Sequence, residues 1–309
     1  MLKEIINIGD NMTENQKRIL IFGAGTIGSA YAINFIEAGI DVTMFARSNR
    51  FQSLKQNGLR YSEKGTVKTI KVNVIDKIKD DDVYDFILLT VRYDQAKSAL
   101  ATLKDNTSKT IVTMTNSSTG FSSWLEIVGD RLLPGFPGVG GHIKDDILYA
   151  RFPPKGLASA LIGEIDGVET ERVKDFIWLF DTAKLPCKIN PDMKAFLITH
   201  SATDIAMVSV LHTGDNITDK ETLRSAQTAR QITVTLKKYL NKIQEAGIVI
   251  NPAFLKNVLK LPNFVLDSFF KIWLRSKIVE DMLTPSFANS ATKEVRRLEE
   301  DLLNFLNHQ

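Results

Sequence analysis

Arg18-Ile19-Leu20-Ile21-Phe22-Gly23-Ala24-Gly25-Thr26-Ile27-Gly28 is the stretch whose reading decides the fold. An apolar strand runs into a glycine-rich turn, and the amphipathic helix that follows, Ile27–Ala38, ends at Gly39, where a helix stop is expected. Gly23 permits the tight turn, Gly25 lets the backbone approach a pyrophosphate, and Gly28 lets the helix pack close to the strand. Phosphates would then sit on free N–H groups at a helix N-terminus. The layout predicts a dinucleotide site on Gly23, Ala24, Gly25, Thr26, Ile27 and Gly28; a turn needed for packing alone is the alternative.

The next strand, Asp41-Val42-Thr43-Met44-Phe45-Ala46, bears on which dinucleotide. NAD-binding units commonly end this strand in an acidic residue, about 20 residues after the glycines, that holds the ribose hydroxyls. This chain instead continues Arg47-Ser48-Asn49-Arg50. A guanidinium suits a 2′-phosphate and a carboxylate would repel one, so NADP is expected over NAD. The plain alternative makes Arg47 and Arg50 solvated charges, although a helix start is a poor place for cations.

Further along, Asp85–Val91 and Thr110–Thr115 are near-continuous apolar runs, the mark of parallel strands buried on both faces, with Tyr93–Leu103 as the helix between. Leu59–Tyr61 and Val67–Val74 read as a pair of strands, Gly135–His142 as a glycine- and proline-rich stretch, then strands near Ile147–Phe152 and Leu157–Ile162, a helix at Gly167–Thr182 and a last strand at Leu185–Ile189. The alternation predicts an α/β fold, a Rossmann-type doubly wound parallel sheet over residues 17–189. From Asn190 the pattern turns helical: Met193–Leu211, Asp219–Ala246, Pro252–Lys260, Asn263–Leu283 and Asn289–Leu306. An all-helical domain is expected over 190–309, with no strand, and the site between the two at the carboxyl ends of the parallel strands.

Composition excludes other classes. A chain of 309 residues with 44% hydrophobic and 24% charged content is long enough for two domains, and its net charge of +3 is too small and scattered to call for nucleic acid or an anionic membrane. One cysteine, Cys187, read as a buried strand residue, rules out an internal disulfide and a cysteine metal cluster, and no metal site is expected from the dispersed His142, His200, His212 and His308. No apolar run reaches the ~20 residues of a membrane span, and Met1–Lys17 lacks a signal-peptide core, so a cytoplasmic protein is expected, with residues 1–16 as an extension. HExxH, paired CxxC and Gly-x-Ser-x-Gly motifs are absent.

Several segments together resemble the ketopantoate reductase (2-dehydropantoate 2-reductase) family. They are Ile21 to Gly28, Val42-Thr43-Met44-Phe45-Ala46-Arg47, Gly58-Leu59-Arg60, Leu88-Leu89-Thr90-Val91-Arg92, Thr113-Met114-Thr115-Asn116 and Gly138-Val139-Gly140-Gly141. The resemblance implies reduction of a 2-keto acid with NADPH, a place in pantothenate biosynthesis, and a helical second domain of the 6-phosphogluconate dehydrogenase C-terminal kind. It puts Thr90, Val91, Arg92 (where the family has lysine), Asn116 and Gly140 beside the cofactor. The family's catalytic lysine and the asparagine one turn later fall on His200 and Asp204; the next polar position falls on apolar Val208. Glu280 and Glu294 are candidates for the family's substrate glutamate.

Keto reduction needs a proton donor within reach of the carbonyl oxygen. His200 can serve, since its unperturbed pKa of ~6.5 leaves a protonated fraction near neutrality and a carboxylate would raise it. Asp204 shares its helix face, four residues on. The bland alternative is a satisfied histidine at the interdomain seam. Lys194, six residues earlier, points ~120° away. His142 is a second candidate acid or a loop histidine, Asn116 a site residue or a helix cap, and Arg92 an anchor for cofactor or anionic substrate. The leading expectation is an NADP-dependent reductase of a small keto acid. The alternatives are an inactive NADP(H)-binding sensor and a reductase of another carbonyl compound. Phe264-Val265-Leu266 and Phe269-Phe270-Ile272-Trp273 offer either a homodimer surface or a helical core.

Overall fold

The first strand, β1 (Arg18–Phe22), divides its side chains between two cores: Ile19 and Ile21 enter one, Leu20 and Phe22 the other, all at 2% exposure or less. Phe86–Leu89 does the same, Phe86 and Leu88 against Ile87 and Leu89. Both therefore read as unbroken apolar runs, because a strand covered on both faces has no wet side. Each such side chain contributes ~1.5–3 kcal/mol on full burial.

The computed structural model describes residues 17–153, 159–213, 216–276, 279 and 285–309; the expected extension 1–16 and Glu280 lie outside them. After β1 come α1 (Thr26–Glu37), β2 (Asp41–Phe45), α2 (Ser48–Asn57), β3 (Leu59–Glu63), β4 (Thr66–Ile70), β5 (Asn73–Ile75), β6 (Phe86–Leu89), α3 (Tyr93–Thr102) and β7 (Ile111–Met114). Then follow α4 (Ser122–Val128), β8 (Leu132–Phe136), β9 (Gly140–Lys144), β10 (Ile147–Arg151), β11 (Ala160–Ile162), α5 (Glu171–Thr182) and β12 (Cys187–Ile189).

Eight strands form one sheet in the order β12-β11-β8-β7-β6-β1-β2-β5. Six run parallel, but β11 is antiparallel to β8 and carries β12 with it, so the expected parallel sheet is mixed at one edge. The chain leaves β1 for β2 on one side and returns to β6 on the other, and that reversal opens a crevice at their carboxyl ends. A second sheet, β4-β3-β10-β9, packs through β9 and β10 on α1. Its β9–β10 hairpin closes through Asp145 and Asp146 at φ 50° and 62°, the mirror-image turn whose twist suits a two-residue loop.

Beyond β12 the chain is helical: α6 (Met193–Val208), α7 (Lys220–Leu223), α8 (Ala226–Glu245), α9 (Leu255–Lys260), α10 (Asn263–Trp273) and α11 (Pro285–Leu306). The expected strand-free region holds one exception, a ribbon pairing β13 (His212–Thr213) with β14 (Asn216–Ile217). The expected helix Asp219–Ala246 is two helices, because Asp219 and Ser225 each cap a new start. α6 is apolar nearly all round and joins the two regions: Met193, Phe196 and Leu197 enter a sheet-side core, Ile198, Ala202 and Ile205 the helical one. On α10, Leu266 and Phe270 point inward while Phe264 and Ile272 stay 70% and 75% exposed.

The glycine- and proline-rich stretch that starts at Gly135 overlaps the end of a strand, since proline and glycine stand inside β8. Proline and glycine normally demote a strand. Gly135 is there because a Cβ would come within 3.1 Å of the Met114 sulfur and 3.2 Å of the Leu161 carbonyl oxygen. Cys187 does lie on a strand, though half-buried rather than buried. Gly28 is tighter still, its Cβ falling 2.0 Å from the Gly23 carbonyl oxygen, whereas a Cβ on Gly25 meets nothing within 4 Å. Gly28→Ala is therefore expected to lower unfolding free energy in urea by about 3 kcal/mol or more. Gly25→Ala should leave it unchanged or raise it by up to ~1 kcal/mol.

Candidate active site

The crevice is lined by residues that follow strand ends. Gly23 to Ile27 follow β1, Thr90 to Arg92 follow β6, Thr115 and Asn116 follow β7, and Pro137 follows β8. From the helical side α6 contributes His200, Asp204 and Val208 at intervals of four, and α11 contributes Ala291, Glu294 and Val295. These residues enclose a cavity of about 520 Å³, and a neighbouring one of about 500 Å³ shares Gly25, Thr90, Val91 and Arg92 with it. Arg47 lines the second cavity and Gly140 the first. Of the turn residues Gly23 to Gly28, Gly28 alone lines neither, since it lies beneath the turn.

The glycine turn is held from below. Gly23 sits at φ 122°, a conformation side chains rarely adopt, and Thr90 fixes it by donating its hydroxyl to the Gly23 carbonyl at 2.8 Å. The Thr90 N–H also bonds the Phe22 carbonyl at 3.0 Å, tying the two strand ends across the switch point. Gly25 caps α1 in an extended conformation without a side-chain cap, so the first N–H groups of that helix keep their donors for a ligand. Open space over Gly25 and a helix start with free donors together fit a dinucleotide pyrophosphate.

A polar chain crosses the first cavity. The Asn116 amide donates to Asp204 Oδ2 at 3.1 Å, and Asp204 Oδ1 lies 3.3 Å from His200 Nε2. Phe136 and Phe196 flank the imidazole, with ring centroids 4.3 Å and 5.7 Å away. Burial opposes the charged imidazolium, but the Asp204 carboxylate, through charge and hydrogen bond, prevails and holds the His200 pKa above its ordinary 6.5. Asn116 Oδ1 is buried without a hydrogen-bond partner, an acceptor left over for a ligand. Glu294 accepts the Tyr93 N–H at 3.1 Å at the start of α3, and burial, helped by the nearby Asp204, raises its carboxyl pKa.

The remaining candidates lie elsewhere. Lys194 is exposed, its stem against Gly120 and its ammonium 5.7 Å from the centre of the Phe305 ring. His142 stacks on Tyr149 at 5.1 Å in the second sheet and lines neither cavity. Phe136 went unseen in the sequence because the proline and glycine beside it hide the strand β8. Asp146 did too, although two aspartates between alternating residues are a hairpin signal.

Residues 19–146 match the family model described as ketopantoate reductase PanE/ApbA. This part of the chain is similar to a ketopantoate reductase domain. The whole fold is similar to that of solved ketopantoate reductases. The 2-dehydropantoate 2-reductase from Geobacter metallireducens GS-15 is 15% identical with a TM-score of 0.64, covering 93% of this chain and 99% of its own. A PanE/ApbA family ketopantoate reductase from Ralstonia eutropha JMP134 is 14% identical at 0.62, again over 93% and 99%. D-mandelate dehydrogenase, solved with NADH and anilino(oxo)acetate, is 13% identical at 0.63 and covers 92% and 99%. A search of curated protein sequences found no match. No helix among the described residues is long and apolar enough to cross a membrane.

The ion pair in the cavity makes a direct prediction. In an NMR titration the His200 ring should show a midpoint above 6.5, and Asp204→Asn, which leaves only the burial penalty, should move it below 6.5.

Proposed function

We propose that the protein reduces the oxo group of a small 2-keto acid with NADPH, and that His200 gives the proton. The observation that carries this reading is the Asn116–Asp204–His200 chain lying in the same cavity as the glycine turn. A bound dihydronicotinamide supplies the hydride. The protonated imidazole carries two N–H groups. Asp204 holds the one on Nε2, which leaves the Nδ1 proton for the developing alkoxide. After the transfer the neutral ring keeps its Nε2–H on Asp204, so the carboxylate fixes the tautomer as well as the charge. Arg92 lines both cavities and, although it also bonds Asp94 at 3.2 Å, offers further N–H donors for a substrate carboxylate. Asn116 Oδ1 is placed to accept from a ribose or substrate hydroxyl. Glu294 presents a second carboxyl to the same space.

NADP is favoured by the second cavity, whose lining includes Arg47, Arg50 and Arg92 and no carboxylate. The mandelate dehydrogenase of the same fold was solved with NADH and an oxoacetate, which supports the keto-acid class but points to the other cofactor. Removing Arg47, an exposed guanidinium stacked 5.3 Å from the Phe45 ring, should weaken NADPH binding about tenfold or more and leave NADH unchanged.

Steady-state oxidation of NADPH across a panel of 2-keto acids tests the reaction. The expected kcat/KM for reduction is high at low pH and falls as pH rises through a pKa above 6.5, because the acid form is the active one. In Asp204→Asn the fall should come at lower pH. Tight NADPH binding with no turnover of any oxo compound would instead mark a binding protein. The proposal extends to a cytoplasmic homodimer that buries the outer face of α10, where Phe264, Phe269 and Ile272 stand exposed. Sedimentation should then give about twice 34.6 kDa.

A further inference from the structure

Arg47 and Arg50 lie in the same cavity at the end of β2, yet their surroundings differ. Arg47 is exposed, and its hydrogen bond, to Thr102 Oγ1 at 3.5 Å, is long. Arg50 has each of its nitrogens committed: Nε donates to the Ala24 carbonyl at 3.1 Å, one terminal nitrogen to Ser29 Oγ at 3.2 Å, and the other to Asp146 Oδ1. Asp146 comes from the β9–β10 turn, nearly a hundred residues on, and also accepts the Ser53 hydroxyl. The side chains of the pair are 20% and 30% exposed, so the charges meet with little intervening solvent.

We infer that Asp146 is a specificity-determining residue for the dinucleotide: it neutralises Arg50 and turns it into a brace on the glycine turn, leaving Arg47 as the cation that reads the 2′-phosphate. The inference rests on the proposed dinucleotide site. Its physical basis is charge balance. A free Arg50 would add a second positive charge beside the 2′-position, while an Asp146 without its arginine would put an uncompensated negative charge there. The same ion pair ties the turn under the pyrophosphate to β9, whose first residues, Gly140 and Gly141, line the other cavity.

The test is the ratio of NADP+ to NAD+ affinity, measured by calorimetry on the full chain. Loss of a brace alone weakens both dinucleotides together and leaves the ratio unmoved. Asp146→Asn keeps a residue that tolerates φ near 60° and should raise the ratio severalfold, with a steeper dependence of NADP+ binding on salt. Arg50→Met should lower the ratio, and the double variant Arg50→Met/Asp146→Asn should bring it back near wild type, since both charges are then gone. An unmoved ratio in Asp146→Asn overturns the inference. So does a double variant that loses the ratio as fully as Arg47→Ala, since Arg50 would then be reading the phosphate itself. Wild-type protein that binds neither dinucleotide rejects the dinucleotide site and this inference with it, whereas binding with an unmoved ratio rejects the inference alone.

Discussion

The close approach of α1 to β1 is the constraint from which the rest of the crevice follows. Gly28 has no room for a side chain above the Gly23 carbonyl, and that same carbonyl accepts the Thr90 hydroxyl from the end of β6. One peptide group is thus held by the helix on one side and by the neighbouring strand on the other. Because β1 and β6 flank the point where strand order reverses, fixing this group fixes the floor of the crevice. The free helix start at Gly25 lies directly over that floor.

The helical half completes the site through α6. This helix is buried against both the sheet-side and the helical cores, so its cavity-facing stripe is positioned by packing on nearly every other side. On that stripe His200 and Asp204 sit one turn apart, and Asn116, at the end of β7, reaches across to Asp204. The polar chain therefore links a strand end in one half to a helix in the other. α11 closes the space from the far side, where Glu294 accepts the backbone N–H of Tyr93 and Asp301 accepts the Tyr93 hydroxyl at 3.0 Å.

Features that depend on local spacing were legible in the sequence. The glycine turn, β1, β2, β6 and α1 follow from periodicity and from glycines with a steric reason to be there, and the His200–Asp204 pair follows from a four-residue helical interval. Features that depend on distant partners were not. The strand β8 was hidden because Gly135 answers to Met114 and Leu161 rather than to its own neighbours. The reversal of β11 leaves no mark on Ala160-Leu161-Ile162, which are apolar either way. Arg47 and Arg50 look equivalent in sequence; Asp146, far along the chain, makes them different. Glu294 could be named as a candidate, but only the packing of α11 on α3 brings it to the cavity.

The central claim is that the His200 imidazolium, charged by Asp204, is the proton donor in a nicotinamide-dependent reduction. Single-turnover oxidation of protein-bound NADPH by a keto-acid substrate reads that step free of product release. Replacing His200 by Gln keeps a hydrogen-bonding side chain of similar reach but removes the acid. The account predicts that the single-turnover rate in His200→Gln falls by about 10²–10⁴ with NADPH affinity unchanged. A rate equal to that of the wild type would contradict it.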